Sequence, residues 1–248
     1  MKKDIQMKCL IVGDIHQKID LVEKHIAGWT DKIIFIGDYF DNFNDTPEQA
    51  REMAVWLKDS LKKENRIHLM GNHDYYYRVP MGKSGICSGF TSQKYEIINS
   101  ILDFSDWNLI KYFYHEKYED LDYWFSHAGI SSHWFRHPVL GISTEIVDKK
   151  VQEAQNDIEA QNYESNFAKR INAVDWYRGG RHPRGGLLWN HWPTAELHKG
   201  VVQVLGHTTV PKIKIKTKFE SKTINVDTAL KQSLIIDNGN LIIKNLLL

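Results

Sequence analysis

Cysteine is almost missing from this chain. Its 248 residues hold two, Cys9 and Cys87, too few for a disulfide framework, and Cys9 falls in an apolar run where a buried free thiol is the ordinary state. A reducing, cytoplasmic setting is expected. An excess of one charge is missing too. With 32 Lys+Arg against 31 Asp+Glu the formal net charge is +1, which argues against a dedicated nucleic-acid binder while leaving room for a local basic patch. No run approaches the roughly 18 apolar residues of a membrane span, and residues 1–6 lack an apolar signal segment. Internal repeats and low-complexity tracts are also missing. What remains is 42 % apolar, enough for a substantial core, and the length suits one domain over residues 1–248 with a helical elaboration at about 131–180.

Glycine-terminated apolar runs organise the first third. Residues 8–12 lead into Gly13-Asp14-Ile15-His16, residues 32–36 into Gly37-Asp38-Tyr39-Phe40-Asp41, and residues 66–70 into Gly71-Asn72-His73-Asp74. The runs are short and rich in branched residues, so they are read as buried strands. Between the first two, Leu21, Val22, His25 and Ile26 fall at helical spacing. Between the second and third, Thr46-Pro47-Glu48 is a helix start with a cap and a proline at the first position, and the helix runs through Ala50, Met53, Ala54 and Leu57. Two βαβ units in succession build parallel sheet.

Residues 75–89 open with Tyr75-Tyr76-Tyr77 and are punctuated by Pro80, Gly82, Gly85 and Gly89, which predicts a loop. Residues 92–104 read as helix. Residues 112–118 and 121–125 read as adjacent strands, the second ending in Ser126-His127-Ala128-Gly129, and suggest a second, more antiparallel sheet. The glycine-free, polar stretch at 143–174 suits one or two surface helices, and residues 178–186 form a basic glycine-rich loop. A strand at 201–205 ends in Gly206-His207-Thr208; strands at 213–217, 223–226 and 233–236 follow, and Asp237-Asn238-Gly239-Asn240 turns into a last one at 241–246.

The polar tips of these strands carry the chemistry. Asp14 and His16 are two apart, so their side chains leave one face. Asp38, Asn72, His127 and His207 each follow their own strand closely, and the carboxyl ends of strands in an open α/β sheet line one crevice. Carboxylate oxygen with imidazole suits manganese, iron or zinc, and a ligand set without cysteine argues against a structural zinc site. Six donors exceed the needs of one ion, so two ions sharing a carboxylate are expected, a pair whose chemical use is hydrolysis at phosphorus.

Taken in order, Gly13-Asp14-Ile15-His16, Gly37-Asp38-Tyr39-Phe40-Asp41, Gly71-Asn72-His73-Asp74, His127-Ala128-Gly129 and Gly206-His207-Thr208 resemble the calcineurin-type metallophosphoesterases. Within them the closest likeness is to the phosphoprotein phosphatase branch, including the bacteriophage lambda type and its bacterial relatives. The resemblance implies an α/β fold, a four-layer αββα sandwich of two mixed β-sheets flanked by helices. It also implies Asp14 and His16 on one metal, Asp38 bridging, and Asn72, His127 and His207 on the other, with manganese the first candidate and iron or zinc next. By the same likeness His73 protonates the leaving oxygen and Asp41 orients its ring, while Asp74 supports the turn. The implied activity is hydrolysis of a phosphomonoester, foremost phosphoserine or phosphothreonine on a protein. A dinucleoside polyphosphate hydrolase is the alternative, since such bacterial enzymes share Gly-Asn-His-Asp and His-Ala-Gly. A non-catalytic metal-binding module is the remote third reading, and it would have no use for His73 and Asp41.

Two departures stand out. The branch usually continues Asp-Arg-Gly at its orienting aspartate, where the arginine binds phosphate; this chain has Asp41-Asn42-Phe43, and Arg78, Arg178, Arg181 and Arg184 are the replacement candidates by charge and position. In contrast, Gly206-His207-Thr208-Thr209 lacks the Gly-His-x-His of many nuclease branches, which favours the phosphatases. His25, His68, His115, His133, His137 and His198 are read as core or surface residues, and His182 and His191 as possible substrate contacts. Tyr75, Tyr76, Tyr77 and Trp189 are read as packing and Asp227 as fold support.

Overall fold

The computed structural model describes residues 7–42, 44–81 and 87–246; Phe43, Gly82 and Gly85 of the segments above lie outside them. Strand β1, Lys8–Val12, is buried on both faces. Cys9 and Ile11 point into one apolar cluster with Ile34, Ile36, Phe125, Val204 and Ile224. Leu10 and Val12 point into another with Phe35, Val22, Met53 and Leu57. That two-sided burial explains why the strand reads as a continuous apolar run instead of an alternating one.

The first sheet joins β1, β2 (Lys32–Phe35) and β3 (Arg66–His68) in parallel and adds β9 (Gln232–Asp237) and β10 (Asn240–Asn245) antiparallel, in the order β10-β9-β1-β2-β3. The second joins β4 (Phe113–Tyr118), β5 (Leu121–Ser126), β6 (Val201–Leu205), β7 (Lys214–Lys218) and β8 (Ser221–Asn225) in the order β4-β5-β6-β8-β7. Its pairs β5·β6 and β6·β8 are parallel and its outer pairs antiparallel. The second sheet is therefore as mixed as the first, and not the more antiparallel one expected from its opening hairpin, because β6 returns alongside β5 after the long connection through residues 127–200. The sheets face each other across the cluster that holds Cys9 and Phe125.

Helices cover the outer faces. Helix α1 (Ile19–Ile26) and helix α2 (Pro47–Leu61) lie on the first sheet; Thr46 caps α2, with Gln49 returning the bond to the Thr46 amide. Ala50, Met53, Ala54 and Leu57 are its buried stripe. Helices α3 (Asn72–Arg78), α4 (Ser92–Ile101) and α5 (Phe104–Leu109) follow. Over the second sheet come α6 (Ser132–Phe135), α7 (Thr144–Glu159) and α8 (Asn166–Asn172); Trp124 Nε1 donates to Thr144 Oγ1 at 2.9 Å. The fold is thus the α/β sandwich of two mixed sheets flanked by helices.

Helix α3 corrects the loop expected from residue 75. Asp74 accepts from the Gly71 amide at 2.8 Å and so caps the first turn. Tyr75, Tyr76 and Tyr77 are all buried, and that packing supplies what seven residues of weak helix formers lack on their own.

Candidate metal centre

The strand-ending glycines exist because backbone and carboxylates come too close for a side chain. A Cβ on Gly71 would sit 2.1 Å from Asp38 Oδ1 and 2.3 Å from its amide nitrogen, and one on Gly206 would sit 2.1 Å from Asp14 Oδ1. Four residues of the expected site are themselves held in left-handed backbone conformations: His16 at φ 46°, Asp38 at 52°, Asp41 at 62° and His207 at 65°. Such geometry is costly for side chains with a Cβ and persists only where its surroundings enforce it. Asp74 is one enforcer, accepting from the Asp38 and Tyr39 amides at 2.8 Å each as well as from Gly71.

The imidazoles are oriented by carbonyl groups. His16 Nδ1 lies 2.6 Å from the Asp41 carbonyl oxygen and His127 Nδ1 lies 3.0 Å from that of Ile36. A carbonyl only accepts, so each ring donates from Nδ1 and turns the Nε2 lone pair inward. Asn72 Nδ2 donates to Cys87 Sγ at 3.3 Å, which turns Asn72 Oδ1 inward as well. Burial holds the His127 pKa below its ordinary value, which favours the neutral ring. Its Nε2 nevertheless faces Asn72 Oδ1 at 2.9 Å and Asp38 Oδ2 at 3.4 Å. Acceptors facing acceptors at that range call for a cation between them. His207 Nδ1 joins the group, 2.7 Å from Asn72 Oδ1 and 3.2 Å from His127 Nε2.

Donor atoms of Asp38, His127 and His207 lie within 4.8 Å of one another, as do those of His16, Asp38 and His73. Asp38 is common to both groups, the position a bridging carboxylate needs, while Asp14 falls in neither and His73 replaces it in the group with His16. Asp14 meets the cluster through the His207 amide, which donates to its Oδ2 at 3.0 Å. Burial, then the nearby Asp227, then Asp38, push the Asp14 carboxyl well above the usual range, the mark of buried acidic groups crowded together. The donor set fits hard or borderline cations held by oxygen and imidazole.

His73 stands at the rim. Its Nδ1 is 3.0 Å from Asp41 Oδ2, and its ring meets that of His16 edge-on at 5.2 Å. Burial opposes its charge, but Asp38 and the Asp41 hydrogen bond prevail and push the imidazole up to about 12. Asp41 Oδ1 in turn accepts from Tyr77 Oη at 2.6 Å and from Lys94 Nζ at 2.6 Å. Lys94 also reaches Asp45 Oδ1 at 2.9 Å. Tyr77, Lys94 and Asp45 carry no motif and are invisible as site residues in the sequence. His16, Asp41, His73, Lys94, Arg178, Thr209 and Asp227 are among the residues lining one cleft of about 590 Å³.

The four arginines separate. Arg178 lines the cleft; its Nη2 donates to Thr208 Oγ1 at 2.6 Å, while its buried Nε has no hydrogen-bond partner among the described residues. Arg78 is spent elsewhere, on Tyr112 Oη at 3.0 Å, Asn108 Oδ1 at 3.1 Å and Glu159 at 3.5 Å. Arg181 borders a separate cavity of about 320 Å³ with Tyr76 and His182, and Arg184 donates to the neighbouring Pro183 carbonyl. Neither lines the cleft. Charge and loop position could not tell these arginines apart; only the turn at Trp176–Arg178, capped by Asp175, brings one of them beside His207. His191 stacks on exposed Tyr177 with centroids 5.3 Å apart, and Trp189 packs edge-on against His207 at 5.4 Å.

The family model of the calcineurin-like phosphoesterases matches residues 7–232. Among solved structures, the cold-active protein-tyrosine phosphatase of a psychrophilic Shewanella species is similar at 18 % identity and TM-score 0.58, covering 96 % of this chain and 77 % of that one. A protein serine/threonine phosphatase from Saccharomyces cerevisiae is similar at 14 % identity and TM-score 0.50, covering 96 % and 79 %. At these identities the likeness is one of fold. The comparison with curated proteins finds no match.

Proposed function

The chain belongs to the calcineurin-like phosphoesterases, and from that premise we propose that it is a two-metal phosphomonoesterase acting in the manner of a serine/threonine protein phosphatase. The observation that carries this reading is the placement of the His73–Asp41 pair, 3.0 Å apart, beside the acceptor cluster of Asp38, Asn72 and His127. Asp14 and His16 would hold one ion, Asn72, His127 and His207 the other, with Asp38 shared and manganese the first candidate. When bound, such ions lower the pKa of a water and neutralise charge on phosphoryl oxygens.

The protein's own groups do the rest. Asp41 accepts from His73 Nδ1 and so fixes the ring with Nε2 available to the leaving oxygen, to which His73 gives its proton. Arg178, which lines the cleft beside His207, receives a phosphate oxygen and takes over from the arginine that Asn42 replaces. A nucleotide is the second reading for the substrate, favoured by Tyr177, which is 68 % exposed, stacked on His191 and adjacent to Arg178; an aromatic face there could stack a base. Hydrolysis of p-nitrophenyl phosphate with and without manganese, followed by competition between a phosphoserine peptide and a diadenosine polyphosphate, tests both readings. Manganese-stimulated turnover inhibited better by the peptide is the expected result. Failure of any metal to stimulate hydrolysis of mono-, di- or anhydride phosphates would end the proposal.

A further inference from the structure

Lys94 occupies a place that elementary electrostatics disfavours twice. It sits in the first turn of α4, just after the Thr91 cap, where the positive end of the helix repels a cation. It is also 1 % exposed, and a lysine buried without compensation is costly. The compensation is entirely acidic: Nζ meets Asp41 Oδ1 at 2.6 Å and the two Asp45 oxygens at 2.9 and 3.1 Å. Gln17 Nε2 donates to Asp45 from the other side. With Tyr77 on the same Asp41 oxygen, Oδ1 is fully engaged and Oδ2 alone is left for His73.

We propose that Lys94 is a positioning residue for the proton transfer, locking Asp41 so that it can orient His73. Although Lys94 lines the cleft, its three carboxylate contacts engage the hydrogens of Nζ, so it acts on Asp41 and not as a phosphate ligand. The inference rests on His73 being the acid, and its signature follows from that: losing Lys94 should cost most where the leaving oxygen most needs a proton.

Lys94→Met, His73→Asn and the double variant are compared on p-nitrophenyl phosphate, phenyl phosphate and a phosphoserine peptide, with metal content measured in parallel. Lys94→Met should lower kcat on the peptide by about 10- to 100-fold, less on p-nitrophenyl phosphate, with KM and metal content unchanged. The double variant should be no slower than His73→Asn alone, because the two residues act in one chain of contacts. Where the methionine variant does not fold, Lys94→Gln, which keeps an amide donor, is put through the same comparison. Losses that multiply in the double variant, or that are equal for every leaving group, would overturn the role of Lys94 while leaving that of His73 intact. A His73→Asn variant whose loss ignores the leaving group would overturn both.

Discussion

Arg178, half-buried, and His68, buried, are two basic side chains whose partners decide opposite fates. Arg178 lines the cleft beside the cluster; its replacement by alanine should raise KM for phosphomonoesters by about tenfold or more, the worth of a charge-assisted hydrogen bond, with little loss of bound metal. Steady-state kinetics on p-nitrophenyl phosphate checks this. His68 lies flat against Phe35 with centroids 4.7 Å apart, bonded to Tyr39 Oη and Ser60 Oγ at 2.9 Å each. Burial, then Arg66, hold its pKa down to about 3. Because the folded value lies below the unfolded one of about 6.5, the unfolded chain takes up the proton first. The stability that neutral His68 contributes is therefore full above pH 6.5 and is lost as pH falls towards 3. Urea unfolding of His68→Gln should give a lower midpoint at pH 7 and a shallower fall between pH 6.5 and 4 than the parent.

At the same scale, the gathering of Asp14, His16, Asp38, Asn72, His127 and His207 in one crevice was legible, because each follows an apolar run by a few residues. Lys94 was not, since it meets Asp41 from 53 positions away with no pattern around it. The arginine choice was equally hidden, resting on one turn.

At the scale of elements, strand positions were legible wherever both faces are buried, and α2 was legible from its cap and stripe. Replacing Thr46 by alanine should cost about 1 kcal/mol in denaturant unfolding, because it removes a hydroxyl that accepts from the Gln49 amide at 3.2 Å. Helix α3 escaped detection because its stability is tertiary: Tyr77 stacks on Phe90 at 5.0 Å and on Phe40 edge-on at 5.3 Å. Three consecutive aromatics have no helical period, and Pro80 shortly after them reads as a breaker. The pairing of β6 with β5 was likewise not deducible, since parallel neighbours separated by some 75 residues leave no local trace.

For the whole molecule, five strand ends from two sheets meet in one crevice, so ligand binding and folding are linked. Free manganese at about 100 times its Kd should stabilise the fold by about 2.7 kcal/mol for each site filled, and chelation should lower the melting temperature correspondingly. A melting temperature indifferent to chelator would contradict a preorganised cluster. Among the described residues no helix is long and apolar enough to cross a membrane.

The central claim is the division of labour between neighbours, Asn72 on metal and His73 on protons. Metal content and turnover measured together on His73→Asn test it most directly. Two ions per chain should be retained while turnover on a phosphoserine peptide falls by about 10²- to 10⁴-fold; metal lost in step with turnover would contradict that division.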